Sequence, residues 1–71
     1  MARKFWDFLI VNTDMETNES ELEILTQQTA GDVDDLEHSV NGYCNEAPYP
    51  QYKQVVDIRF NRDKTEKYGG A

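Results

Sequence analysis

A chain of 71 residues with 14 acidic and 7 basic side chains, net charge −7, is one domain near the lower size limit for independent folding. That charge argues against direct binding to nucleic acid or to anionic lipid, and the short apolar run Phe8-Leu9-Ile10-Val11 falls far short of the ~20 residues a membrane span needs. Cys44 is the only cysteine, which rules out an internal disulfide; with no signal-peptide pattern opening the sequence, the expected location is the cytoplasm.

In chain order, Phe5 to Thr13 predicts a strand. Trp6, Phe8 and Ile10 alternate with Phe5, Leu9 and Val11, so both faces are apolar, as in a central strand. Asp14 to Glu19 is a polar connection without the Asn-Gly or Asp-Gly signature of a tight turn, which leaves the hairpin register open. Glu21 to Thr26 alternates again. Leu22, Ile24 and Thr26 are expected toward the core, with Glu21 and Glu23 on the other face, where acids suit a sheet edge.

Thr29 is the expected N-cap of a helix over Ala30 to Tyr43, with Asp32 in the capping-box position. Val33, Leu36, Val40, Tyr43 and the adjoining Cys44 fall within an arc of about 100°, the width of a core-facing stripe. Asp32, Asp34 and Asp35 suit the positive end of the helix dipole. Gly42 is expected to weaken the last turn, and Pro48 and Pro50 make Asn45 to Gln51 an extended connector. Tyr52 to Asn61 predicts the third strand, with Val56, Ile58 and Phe60 on its core face and Val55, Asp57 and Arg59 on the other. The charged stretch 61–71 is expected to be a mobile tail.

These elements imply a single α+β domain over residues 1–60. Its ββαβ order predicts a three-stranded antiparallel sheet in order 2-1-3, with the helix on one face and a right-handed crossover. Leu22, Ile24, Val33, Leu36, Val40, Ile58 and Phe60 are the expected core. The uncovered sheet face, with part of the first strand's apolar set, is a candidate interface, and a homodimer would bury it.

Chemistry-bearing residues are few. His38 and Cys44 stand six positions apart on one helix, about 120° and 9 Å of rise from each other, too far for a nucleophile–base pair. Asp32-x-Asp34-Asp35 lacks the glycine and glutamate of a calcium loop, and one cysteine with one histidine cannot build a zinc site. No enzyme activity, cofactor or metal is therefore expected. The charge pattern is more informative. From Phe5 to Tyr52 there is no lysine or arginine, while eleven carboxylates fall in that stretch. A one-sign field of this kind acts on partners rather than on the fold. Glu21, Glu23, Asp32, Asp34, Asp35 and Glu37 are candidate partner-binding residues, since helical rise is close to the charge spacing of a duplex. Trp6 reads either as core beneath the helix or as an interface anchor on the open face. The bland alternative is that acidity only keeps the chain dispersed.

Several stretches carry a resemblance: Lys4-Phe5-Trp6 opening the first strand, Glu21-Leu22-Glu23-Ile24 in the second, and a threonine-capped acidic helix from Thr29. A Pro-containing connector and Val55-Val56-Asp57-Ile58-Arg59 in the last strand complete it. The layout resembles small phage proteins that shut down host machinery, nearest the inhibitors of bacterial RNA polymerase from short-tailed phages. In that family arginine on the last strand and acids elsewhere contact the polymerase; Arg59 matches one such arginine, while Asp57 stands where another would be. By composition the chain is also similar to phage DNA mimics that occupy histone-like nucleoid proteins, and to acidic anti-CRISPR proteins. The resemblance implies a non-enzymatic inhibitor that occupies a basic nucleic-acid-binding surface of a host protein. The alternative is a small homodimeric assembly domain.

Overall fold

A computed structural model describes residues 3–69. The elements in chain order are strand β1 (Lys4–Asp14), strand β2 (Ser20–Thr29), helix α1 (Val33–Asn45) and strand β3 (Gln51–Asn61). A short helix α2 (Arg62–Lys64) and a π-helical turn (Thr65–Gly69) follow. The strands form one antiparallel sheet in order β2-β1-β3. With α1 on one face, this is the small α+β fold that the ββαβ pattern predicts. No helix among the described residues is long and apolar enough to cross a membrane.

Phe8 and Ile10 of β1 and Val40 and Cys44 of α1 are buried, and together they form the core. Trp6, Leu25, Val33, Leu36, Val55 and Ile58 pack around it, partly buried. Val33, Leu36, Val40 and Cys44 of the helical stripe thus face the core as their spacing implies, whereas Tyr43, expected with them, is 42% exposed. The helix start differs from expectation. Thr29 is still in β2, opposite Lys4, and its hydroxyl accepts the Gly31 amide at 3.0 Å. Asp32 is the N-cap instead: its carboxylate accepts the Val33 amide at 2.8 Å, and its carbonyl accepts the Asp35 amide. The helix also continues through Gly42 to Asn45, ending with the Glu46 amide on the Gly42 carbonyl.

Two further corrections concern which way strand residues face. Leu22 and Ile24, expected in the core, are 61% and 60% exposed. In the β1–β2 register Phe8 lies opposite Leu25 and Ile10 opposite Glu23, and directly opposed residues share a face. The odd-numbered positions of β2 thus lie on the helix side, and Leu22 and Ile24 join Val11 and Leu9 on the open side. The connection sets this parity. Asp14 Oδ1 accepts the Glu16 and Thr17 amides, the Asn18 amide donates to the Asp14 carbonyl, and Asn18 takes the left-handed conformation at φ 62°. A register one residue different would reverse every side chain of β2.

The second correction is a bulge in β3. Leu9 pairs with Asp57 and Ile10 with Val55, so Val56 has no opposite number. The extra residue resets the alternation. Val55, expected on the open face, packs against the core, while Val56, expected on the same face as Ile58 and Phe60, is 54% exposed. Ile58 remains core-facing and half-buried. Phe60 shares its side of the sheet but is largely exposed, resting edge-on against Trp6 with ring centroids 5.1 Å apart.

The stretch that reads as the start of a mobile tail is helical in Arg62–Gly69. The Thr65 hydroxyl accepts the Phe5 amide at 2.8 Å and donates to the Asn61 carbonyl. Tyr68 lies over Phe5, with centroids 6.2 Å apart. Gly70 and Ala71 lie outside the described residues.

Because Ile10 is fully buried and Leu36 only partly so, Ile10→Ala should cost about 2–5 kcal/mol, a large part of the stability of a domain this size. Leu36→Ala should cost less. Urea denaturation of both variants checks the ranking, and the reverse order would contradict this placement of the core.

Candidate functional site

The six acids singled out in the sequence do not form one surface. β1 and β2 run antiparallel, so Glu21 and Glu23, opposite Asn12 and Ile10, lie toward one end of the sheet. Thr29, which leads into Asp32, Asp34 and Asp35, lies opposite Lys4 at the other end. Six strand residues, about 20 Å, separate the levels of Glu23 and Thr29. Glu21 is exposed and lines a shallow polar depression with Asn12, Asp14, Glu19 and Gln51. Asp32, Asp34 and Asp35 are exposed at the start of α1, and Glu37, one turn on, is half-buried. Arg59 is on the open face, where Nε donates to Asp57 at 2.9 Å. That bond, with the Ile58 amide also on the carboxylate, holds Asp57 below its ordinary pKa. Trp6 belongs to the covered face, packed against the core, and so is no anchor on the open one.

Glu23 is the acid whose role the sequence does not show. Its carboxylate accepts Lys53 Nζ at 3.1 and 3.3 Å and the Tyr43 hydroxyl at 2.9 Å. Lys53 Nζ also donates to the Tyr43 hydroxyl at 2.7 Å and sits 4.6 Å from its ring centroid. The three residues come from β2, α1 and β3, so this closed triangle ties the C-terminal half of the helix to both outer strands. The Lys53 side chain is only 10% exposed. The ammonium beside Glu23 holds its carboxyl below the ordinary value, against the opposing effect of burial. Hydrogen bonds to Tyr43 and then Glu23 hold Lys53 above its ordinary value. Glu23 is thereby withdrawn from any partner-binding set. Lys53 stands thirty positions from Glu23, and no local pattern marks the pair; only knowing that both face the helix would have found it.

With Glu23 paired, the available negative charge is that of Asp32, Asp34, Asp35 and Glu37, together with Glu16, Glu19, Glu21, Glu46 and Asp63. Ion pairs among the described residues are three: Lys53–Glu23, Arg59–Asp57 and Arg62–Glu66. The acids of α1 belong to none of them. The molecule is 46 Å long, so a net charge of −7 amounts to one per about 6.6 Å. Duplex DNA carries one per ~1.7 Å, so the body as a whole has about a quarter of that density. The densest run of acids is at the helix start, where Asp32, Asp34 and Asp35 stand within four residues and are exposed.

His38 is exposed while Cys44 is in the core, and burial pushes the Cys44 thiol up from its ordinary pKa. Among the described residues no group of three or more His, Cys, Asp or Glu side chains is arranged to hold a metal ion. Comparison with known proteins finds no matching family model, no matching curated protein and no matching solved structure.

The triangle makes stability depend on pH at both ends. A depressed Glu23 pKa contributes stability that is present above the ordinary glutamate value and lost as pH falls through the lowered one. A raised Lys53 pKa contributes stability that is lost only as pH rises through that raised value. Lys53→Met should therefore move the Glu23 carboxyl pKa upward and flatten the acid limb of the stability profile. NMR titration of the Glu23 side chain measures the first effect directly. An unchanged Glu23 titration would show that the triangle does not form.

Proposed function

We propose that this chain is a non-enzymatic binding protein whose acidic helix start engages a basic, nucleic-acid-binding surface of another protein. The observation that carries this reading is the state of the α1 acids: Asp32, Asp34 and Asp35 are exposed, closely spaced and outside every ion pair. Acids there suit the helix dipole, and their exposure leaves them open to a partner's cations. Asp32 also caps the helix, so its carboxylate is fixed in place. A short, dense acidic point on a body of much lower average charge suits competition for a few cations within a basic groove rather than replacement of a long duplex. Inhibition of a histone-like nucleoid protein or of RNA polymerase by a phage protein, the classes the sequence resembles, is the specific form of this reading.

Charge-led binding of this kind weakens with salt and associates quickly at low salt. Titration of the protein into a purified histone-like nucleoid protein and into bacterial RNA polymerase, at several salt concentrations, tests the reading. At least one should bind, with affinity that falls steeply with salt and with DNA as a competitor. Changing Asp34, Asp35 and Glu37 to Asn, Asn and Gln should lower low-salt affinity by roughly tenfold or more, mainly through the association rate. Asp32 is left in place to keep the cap. Binding to neither protein, or binding indifferent to both salt and the triple change, would overturn the proposal.

A further inference from the structure

The open sheet face is a second surface, independent of the acidic helix start. Its centre is apolar: Leu9 opposite Ile24 and Val11 opposite Leu22, with the last two mostly exposed. Many of its polar groups are paired with one another, while Gln28, Tyr52 and Gln54 lie exposed on the same face. Asp7 accepts the Thr26 hydroxyl at 2.7 Å and the Asn61 amide at 3.1 and 3.2 Å. Thr13 and Ser20 share a hydrogen bond, and Asp57 is held by Arg59. The paired groups lower the cost of covering this face.

We propose that a second copy of this chain covers this face, giving a homodimer in which two sheets pack together with their helices outside. The charge distribution selects this occupant. On the face itself the ion pair Asp57–Arg59 cancels, and Asp7, hydrogen-bonded to Thr26 and Asn61, is the one carboxylate left without a cation, so the face carries little of the chain's net charge of −7. The excess negative charge sits on the helix side and at the hairpin end. Face-to-face packing directs the two α1 helices outward, with both sheets between them, and so limits repulsion between two chains of −7 each. A two-fold interface must also be self-complementary, which a neutral apolar centre satisfies. The monomer has reason to pair: its fully enclosed core is only Phe8, Ile10, Val40 and Cys44, a small core for a lone domain.

Area sets the strength. Three strands at about 4.8 Å spacing and eight residues at about 3.3 Å each, from Asp7 to Asp14, give a flat footprint of roughly 380 Å² per copy. That lies below the ~600 Å² per partner that bounds small interfaces, so the dimer is a weak, reversible one.

Sedimentation velocity of the full chain from about 1 to 500 µM tests this. The weight-average mass should rise from monomer toward dimer across that range. Ile24→Lys places two like charges in the apolar centre and should raise the dissociation constant on the order of 100-fold, with circular dichroism and melting showing that the monomer still folds. Asn41→Lys, on the exposed side of α1, controls for added charge and should leave association unchanged. A monomer at every concentration would overturn the proposal. So would a dimer indifferent to Ile24→Lys, which would place the contact at a strand edge or on the helix side. Neither result bears on the salt-dependent binding assigned to α1.

Discussion

The register of the β1–β2 hairpin is set by a turn in which one carboxylate, Asp14, accepts two backbone amides while Asn18 adopts a left-handed conformation. Because strand side chains alternate, that turn decides which half of β2 faces the helix. Leu25 enters the core and Glu23 comes within reach of Lys53 and Tyr43. Leu22 and Ile24 are sent to the uncovered side. The Met15 amide on the Pro50 carbonyl at 2.8 Å then fixes the turn against the connector into β3. A few hydrogen bonds at one end of the sheet thus determine the composition of both faces.

A second parity device lies at the middle of β3. Without the bulge at Val56, Val55 would leave the core and the apolar centre would lose a contact. The same bulge brings Lys53 to the helix side, opposite Asn12, where it meets Glu23. A buried or half-buried carboxylate is costly unless paired, so the two irregularities answer each other. The hairpin turn puts an acid under the edge of the helix, and the bulge supplies its cation. Tyr43, in the last turn of α1, completes the triangle and anchors the helix whose start carries the exposed acids.

What was legible in the sequence was what local periodicity controls. Val33, Leu36, Val40 and Cys44 show the helix and its buried stripe, and the alternating runs show three strands and their order. Facing was not legible for β2 or β3, because one turn residue or one bulged residue reverses it, and neither leaves a strong local mark. On composition alone the more apolar half of β2, Leu22 and Ile24, belongs inside; the register set by Asp14 overrides that preference. The acidic stretch was visible at once, but its division was not. Glu23 is consumed by a lysine thirty residues away, while Asp34 and Asp35 stay open to solvent because the helix stripe directs them outward. Two surfaces result, one charged and one apolar, and they lie apart in space and differ in the partner each suits.

Both surfaces rest on the parity of β2, which a two-dimensional NOE spectrum of the isotope-labelled chain reads most directly. The observed register gives cross-peaks from the Leu25 methyls to the Phe8 ring and from the Ile24 methyls to those of Leu9, its cross-strand pairs. Cross-peaks from the Ile24 methyls to the Phe8 ring and the Val40 methyls, with Leu25 seeing only solvent-side neighbours, would contradict it.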